Sequence, residues 1–162
     1  MIKAIMATDD LGGISKNGTM PWPKNSSDLK WFKKNTKNTV VIMGRLTWID
    51  PFMPSPLKER INVLVTNKNK NDYSGADEYI SGDITVKILD LSKKYNSKDI
   101  FVIGGAEIIN QTFNLIEEFY LTRIYGNFKC DKHIDLDRIK KTMKMVKKID
   151  NDKTCHFEIW RR

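Results

Sequence analysis

Asp28 lies in the run Asp28-Leu29-Lys30-Trp31-Phe32-Lys33, where a helix would set it four residues from Phe32 and so on one face with it. A lone carboxylate beside an aromatic and an aliphatic side chain can hold or move a proton, because desolvation disfavours its charged form. The bland alternative is an acid near a helix N-terminus, helping the dipole. Ile103-Gly104-Gly105 follows an apolar run and precedes a helical pattern. Such a strand–glycine–helix junction turns backbone N–H groups toward a phosphate, although a glycine pair also serves tight turns. Gly44-Arg45-Leu46-Thr47 repeats that junction with a guanidinium and a hydroxyl. Arg60, directly before the apolar run from Ile61, is placed to meet a carboxylate by a bidentate pair, or else a surface acid.

These residues need a scaffold, and the hydrophobic pattern supplies one. Residues 2–8 read as a buried strand. Residues 9–24 carry Gly12, Gly13, Gly18, Pro21 and Pro23 and read as a long loop, a kind that is usually functional or disordered. A helix is expected from Ser26, taken as its N-cap, to about Asn35. Val40 to Met43 reads as a buried strand, followed by a short helix over 45–49 and an irregular, Pro-rich connection. Strands are expected at 61–66, 100–103, 118–125 and 156–160, with helices at 85–95 and 106–113. Alternation of this kind predicts an α/β fold with a largely parallel sheet. The last third reads as strands without helices between them, which predicts an antiparallel edge.

Composition narrows the function classes. A chain of 162 residues with 40% hydrophobic residues is long enough for one domain with a real core. Its longest aliphatic run, Thr39 to Met43, is far short of a membrane span, and Met1 to Ile5 lacks a signal peptide's apolar stretch. The net charge of +8 leaves nucleic acid open as a partner, but the basic residues are 22 Lys and only 6 Arg, spread along the chain. The densest stretch, Arg138 to Lys148, reads as a solvated face. Cys130 and Cys155 form no CxxC pair and have no metal-ligand spacing with His133 or His156, so free thiols and no metal are expected.

Taken together, the chain resembles the dihydrofolate reductase family over nearly its full length. The resemblance is carried by Met1 to Ala7, Asn17-Gly18-Thr19-Met20-Pro21-Trp22, Asp28 to Lys33, Val41 to Trp48, Pro56 to Val63, Val102-Ile103-Gly104-Gly105 and Tyr120-Leu121-Thr122, in the family's order and spacing. It implies one domain over 1–162, with a central mixed, mostly parallel twisted sheet, an antiparallel C-terminal edge and flanking helices. It implies reduction of 7,8-dihydrofolate to tetrahydrofolate with NADPH, in support of one-carbon and thymidylate metabolism, by a cytoplasmic monomer with no nucleic-acid or membrane partner.

The resemblance also implies residue roles. Asp28 is expected to bind the pterin and favour protonation at N5 through a water, with Trp22 and Thr122 holding Asp28 and that water. Ile5, Ala7, Leu29, Phe32, Leu57 and Ile103 are expected as apolar walls, and Arg60 as the partner of the glutamate tail's α-carboxylate. Met20 matches the family's lid over the nicotinamide. The expected cofactor wall adds Ile14, Gly44, Arg45, Leu46, Thr47, Gly104, Gly105, Ala106, Glu107 and Ile108 to Ala7, Met20 and Ile103. Gly104 and Gly105 match a cis Gly–Gly peptide, and Thr66, Asn67 and Lys68 match the site of the adenosine 2′-phosphate.

The chain departs from the family at Leu46, where a His is frequent, at Glu107, where some bacterial members have Arg, and at Ile109, where Tyr is common. The segment from Ile49 to Ser55 lacks the usual Ser-Ile-Gly pattern, which leaves open which of Ile49, Asp50 and Phe52 faces the substrate. The nearest rival on the same fold is a reductase of a riboflavin-pathway pyrimidine. Asp28 and Arg60 stand against it, because they suit a pterin and a glutamate.

Overall fold

The computed structural model describes residues 1–162, apart from the side chain of Lys70. In chain order the elements are β1 (Ile2–Thr8), β2 (Gly13–Ser15), α1 (Ser26–Thr36), β3 (Val40–Gly44), α2 (Arg45–Trp48), β4 (Ile61–Val65), β5 (Glu78–Ile80), α3 (Ile84–Lys94), β6 (Ile100–Gly104), α4 (Ala106–Thr112), β7 (Glu118–Ile124), β8 (Lys132–His133), α5 (Leu136–Thr142), β9 (Lys144–Asp150) and β10 (Cys155–Arg161). An eight-stranded sheet has the order β5-β4-β3-β6-β1-β7-β10-β9. Its first six strands are parallel; β10 and β9 run antiparallel at the end. β2 and β8 form a separate two-stranded ribbon.

The central strands are apolar because both of their faces are covered. Every residue of β3 and β6 is buried. Alternate side chains feed two cores: Ile42, Val63, Val102 and Phe119 pack with Ile88, Ile109 and Ile139 on one face, while Val41, Met43, Leu64 and Ile103 pack with Trp31 and Phe32 of α1 on the other. The parallel strands all point their carboxyl ends the same way, and in open α/β sheets ligands gather outside those ends.

The fold class and most elements agree with the sequence reading, and four points are corrected. The N-cap of α1 is Asn25 rather than Ser26, because the Asn25 carboxamide oxygen accepts the Asp28 N–H at 3.0 Å. β5 has three residues, too few for a period-two pattern to register. The loop over 9–24 contains β2. The last third contains a helix, α5, which Asp135 caps and Ile139 and Met143 anchor in the core. The Lys-rich run from Arg138 to Lys148 therefore spans α5 and most of β9. Lys144, Lys147 and Lys148 of β9 are exposed at the free edge of the sheet, where lysines discourage pairing with another chain.

Candidate functional site

A cleft of ≈ 2370 Å³ opens at the carboxyl ends of the parallel strands. A single small-molecule site usually occupies about 300–1,000 Å³, so this cleft has room for two ligands end to end. Of the sequence-predicted residues, only Thr122 and Gly104 do not reach its wall.

One half is built around Asp28. Ala7, Thr122 and Phe157 are register partners across β1, β7 and β10 and so lie side by side on one face. α1 crosses that face with Trp31 stacked on Phe157 at 4.5 Å between ring centroids. Asp28 is only 9% exposed, and burial pushes the pKa of its carboxyl above the ordinary carboxylate range. The Thr122 hydroxyl works against that rise without completing a hydrogen bond of standard geometry, and its Oγ1 is buried with no partner. Thr122 thus acts from beneath Asp28 rather than from the cleft wall. Trp22 is buried in the cluster with Ile124 and Phe157, edge-on to Phe128 at 5.8 Å.

An acid with a raised folded-state pKa binds more protons folded than unfolded. Stability therefore falls as pH rises from the ordinary carboxylate range through the raised value. Asp28→Asn is expected to raise Tm at neutral pH, with the gain vanishing in acid; calorimetry across that range checks it, and an unchanged Tm at neutral pH refutes the burial penalty.

Leu29, Phe32, Leu57 and Arg60 continue the same half toward its mouth. Arg60 donates from Nε to Thr36 Oγ1 at 3.2 Å and from a terminal nitrogen to the Lys58 carbonyl at 2.7 Å. Its guanidinium stands 5.9 Å from the Phe32 ring and, among the described residues, has no acid within ion-pair distance. Two bonds hold the fork and leave the remaining N–H donors for a carboxylate. The sequence reading missed the residue that shapes this segment, Asn62. Its Oδ1 accepts the Leu57 N–H at 2.8 Å, and its Nδ2 donates to the carbonyls of Leu57 and Arg60 at 2.8 and 3.1 Å. A polar residue inside the apolar run Ile61 to Val65 was the available signal.

The other half lies between β3, β4 and β6. Gly44 and Gly105 are the N-caps of α2 and α4, and neither offers a side-chain cap, so the first N–H groups of both turns are free to face the cleft. The peptide between Gly104 and Gly105 is cis, and Gly104 has φ +132°, a region that L side chains rarely adopt. A Cβ at Gly105 would meet nothing within 4 Å, so the cleft is open directly over that backbone. Arg45 makes no ion pair among the described residues. Leu46, Thr47, Ala106, Glu107 and Ile108 complete this wall, and Thr66, Asn67 and Lys68 extend it beyond β4. A half-buried guanidinium with no ion-pair partner, uncapped N–H groups and a bare backbone suit an extended, phosphate-bearing ligand. Ser81 and Gly82, which follow β5, also line this end; the sequence reading missed them because it missed β5.

The loop over 9–24 covers the middle of the cleft with Ile14 and Met20. It is pinned at several points. The Ser15 carbonyl accepts the Asp131 N–H at 3.0 Å, and the Asp131 carboxylate accepts the Asn17 N–H at 2.9 Å. The Thr19 hydroxyl reaches Asp50 across the cleft at 3.5 Å. Asp50 and Phe52 line the cleft and Ile49 does not. Among the described residues no group of His, Cys, Asp and Glu could hold a metal ion, and no helix is long and apolar enough to cross a membrane.

Comparison with known proteins matches this architecture to one family. The family model described as "Dihydrofolate reductase" matches residues 1–162. The chain is 32% identical to "Dihydrofolate reductase type 9" of Escherichia coli, over 98% of this chain and 92% of that protein. It is 30% identical to "Dihydrofolate reductase" of Rattus norvegicus, over 86% of this chain and 82% of that one. Among solved structures it is similar to dihydrofolate reductase from Enterococcus faecalis complexed with NADP(H) and RAB-propyl, with a TM-score of 0.82, 26% identity, and coverage of 100% of this chain and 96% of that one.

Proposed function

The chain belongs to the dihydrofolate reductase family and is an NADPH-dependent reductase of dihydrofolate, and from that premise we propose which residues carry each part of the reaction. The observation that supports the assignment most is Asp28, a buried carboxyl with a raised pKa at one end of a cleft large enough for two ligands.

NADPH, when bound, supplies the hydride that C6 of the pterin receives; the protein supplies alignment and electrostatics. Asp28 accepts hydrogen bonds from the pterin 2-amino and ring N–H groups and, through a water, favours the proton at N5. Protonated N5 draws electrons from C6, so C6 becomes the better hydride acceptor. Burial raises the pKa of Asp28, so the carboxyl keeps its proton to higher pH than an exposed one and can pass it toward N5 through the water. Thr122 and Trp22 orient Asp28 and its water. Ile5, Ala7, Leu29, Phe32, Leu57 and Ile103 clamp the pterin and benzoyl rings, and Arg60 pairs with the glutamate α-carboxylate.

Gly44, Arg45, Leu46, Thr47, Gly104, Gly105, Ala106, Glu107 and Ile108 hold the cofactor's body, and Thr66, Asn67 and Lys68 its 2′-phosphate. Met20 and Ile14 on the overlying loop exclude water from the reacting atoms. The reading includes the family's expectation of a cytoplasmic monomer acting on small molecules alone. Purified protein is expected to consume NADPH only when dihydrofolate is added, read as loss of NADPH absorbance. A folded protein that turns over no dihydrofolate overturns the reading.

A further inference from the structure

The carboxamide of Asn25 has two ends, and each holds a different part of the molecule. Its Oδ1 accepts the backbone N–H of Asp28 at 3.0 Å, the capping bond of α1. This orientation is forced, since an N–H can only donate. Its Nδ2 therefore faces away and donates to Thr154 Oγ1 at 2.9 Å. Thr154 lies in the turn between β9 and β10. There its hydroxyl donates to Asp152 Oδ1 at 2.5 Å, and the same oxygen accepts the Thr154 N–H at 2.8 Å. Each hydroxyl and amide in the series Asp28, Asn25, Thr154, Asp152 thus donates in one direction only, toward a carboxylate.

The series matters because of how α1 is otherwise attached. The last turn of α1 is held by the Arg60 Nε–H donated to Thr36 Oγ1 at 3.2 Å, while Trp31 and Phe32 fix the helix against the sheet through apolar contacts. Apolar contacts set a helix's distance but are non-directional, so they hold the first turn, at the far end from Thr36, weakly. Hydrogen bonds depend on direction as well as distance. The Asn25 bridge ties the first turn of α1, where Asp28 sits, to the turn that leads into β10. β10 in turn carries Phe157, the register partner of Thr122 beneath the Asp28 carboxyl.

We propose that Asn25 and Thr154 are positioning residues for the reduction: their bridge between α1 and the β9–β10 turn holds Asp28 over Thr122 at the depth the reaction uses. The proposal rests on the assignment of Asp28 under the proposed function. A helix freed of the bridge lets its first turn move outward and admits water to Asp28. Burial is the main influence on that carboxyl and Thr122 the side chain that opposes it, so added water moves the titration of Asp28 down toward the ordinary range.

Thr154→Val, Thr154→Ser, Asn25→Ser and Asp28→Asn, each in the full chain, test this with the pH profile of single-turnover hydride transfer, steady-state kinetics and NADPH binding by fluorescence. Thr154→Val and Asn25→Ser, which keeps a cap for Asp28 but is too short to bridge, are expected to lower kcat/KM for dihydrofolate about fivefold. They are expected to shift the profile's midpoint to lower pH, with NADPH affinity unchanged. Thr154→Ser keeps the hydroxyl and is expected to restore both. A Thr154→Val enzyme with the parent midpoint overturns the proposal, even if its Tm falls, because a merely structural bridge would change Tm alone. Asp28→Asn separates the two levels. If it is inactive while Thr154→Val is unshifted, Asp28 keeps its role and only the bridge is refuted; if it is fully active, the assignment of Asp28 fails and the proposal with it.

Discussion

Asp28→Asn is expected to slow hydride transfer to dihydrofolate by roughly 10²–10⁴-fold, the range in which positioned proton-transfer groups contribute, and to leave NADPH affinity unchanged. The amide keeps the size of the carboxyl and most of its hydrogen-bonding reach, but it neither holds a titrating proton nor favours positive charge at N5. Asp28 projects from α1 into the half of the cleft built on β1, β7 and β10, whereas the wall assigned to the cofactor comes from β3, β4 and β6. The defect should therefore appear in the chemical step and its pH profile. The parent's rate should fall as pH rises through the raised pKa of Asp28, and the variant should lose that transition. Single-turnover kinetics across the pH range decide it, and an Asp28→Asn enzyme with the parent's rate removes Asp28 from the mechanism. Joined to the expected gain in Tm, the loss would mark Asp28 as a residue that costs stability and supplies activity.

Arg60→Leu is expected to weaken dihydrofolate binding about a hundredfold, the equivalent of ~2.7 kcal/mol, with NADPH binding unaffected. The guanidinium is already oriented by Thr36 and the Lys58 carbonyl, so little ordering remains to be done when a carboxylate arrives. Thr36 does not depend on Arg60, because its hydroxyl donates to the Phe32 carbonyl at 2.8 Å. Removal of Arg60 should accordingly cost affinity more than stability. Arg60→Lys retains a charge without the planar fork and should fall between the two. Titration of each ligand separately checks this; equal losses for dihydrofolate and NADPH refute the assignment to the glutamate tail.

The net charge of +8 divides in space between the cleft and one edge of the sheet. Arg45, Arg60 and Lys68 line the cleft. Lys144, Lys147 and Lys148 lie along the open edge of β9, with Lys148 near Asp150 at 3.8 Å. That placement accounts for them as protection of an edge strand.

By itself the sequence determined the fold class, the central strands and a set of residues that, Thr122 and Gly104 apart, line the cleft. Each leaves a local signature: unbroken apolar runs where a strand is covered on both faces, glycines where backbone must face a ligand, and Asp28 with Phe32 one helical turn apart. Only the tertiary structure decided the rest. Asp28 is a common first-turn acid until Ala7, Thr122 and Phe157 arrive beneath it from three strands distant in sequence, and its raised pKa comes from that burial. β5 is too short to show a period and forms because β4 offers it an edge. α5 looks like part of a lysine run until Ile139 and Met143 are seen in the core. Asn25 caps α1 where Ser26 was equally acceptable locally, because its carboxamide also reaches Thr154 across the fold. In each case the deciding contact joins residues far apart along the chain, and neither propensity nor spacing carries information about such a partner.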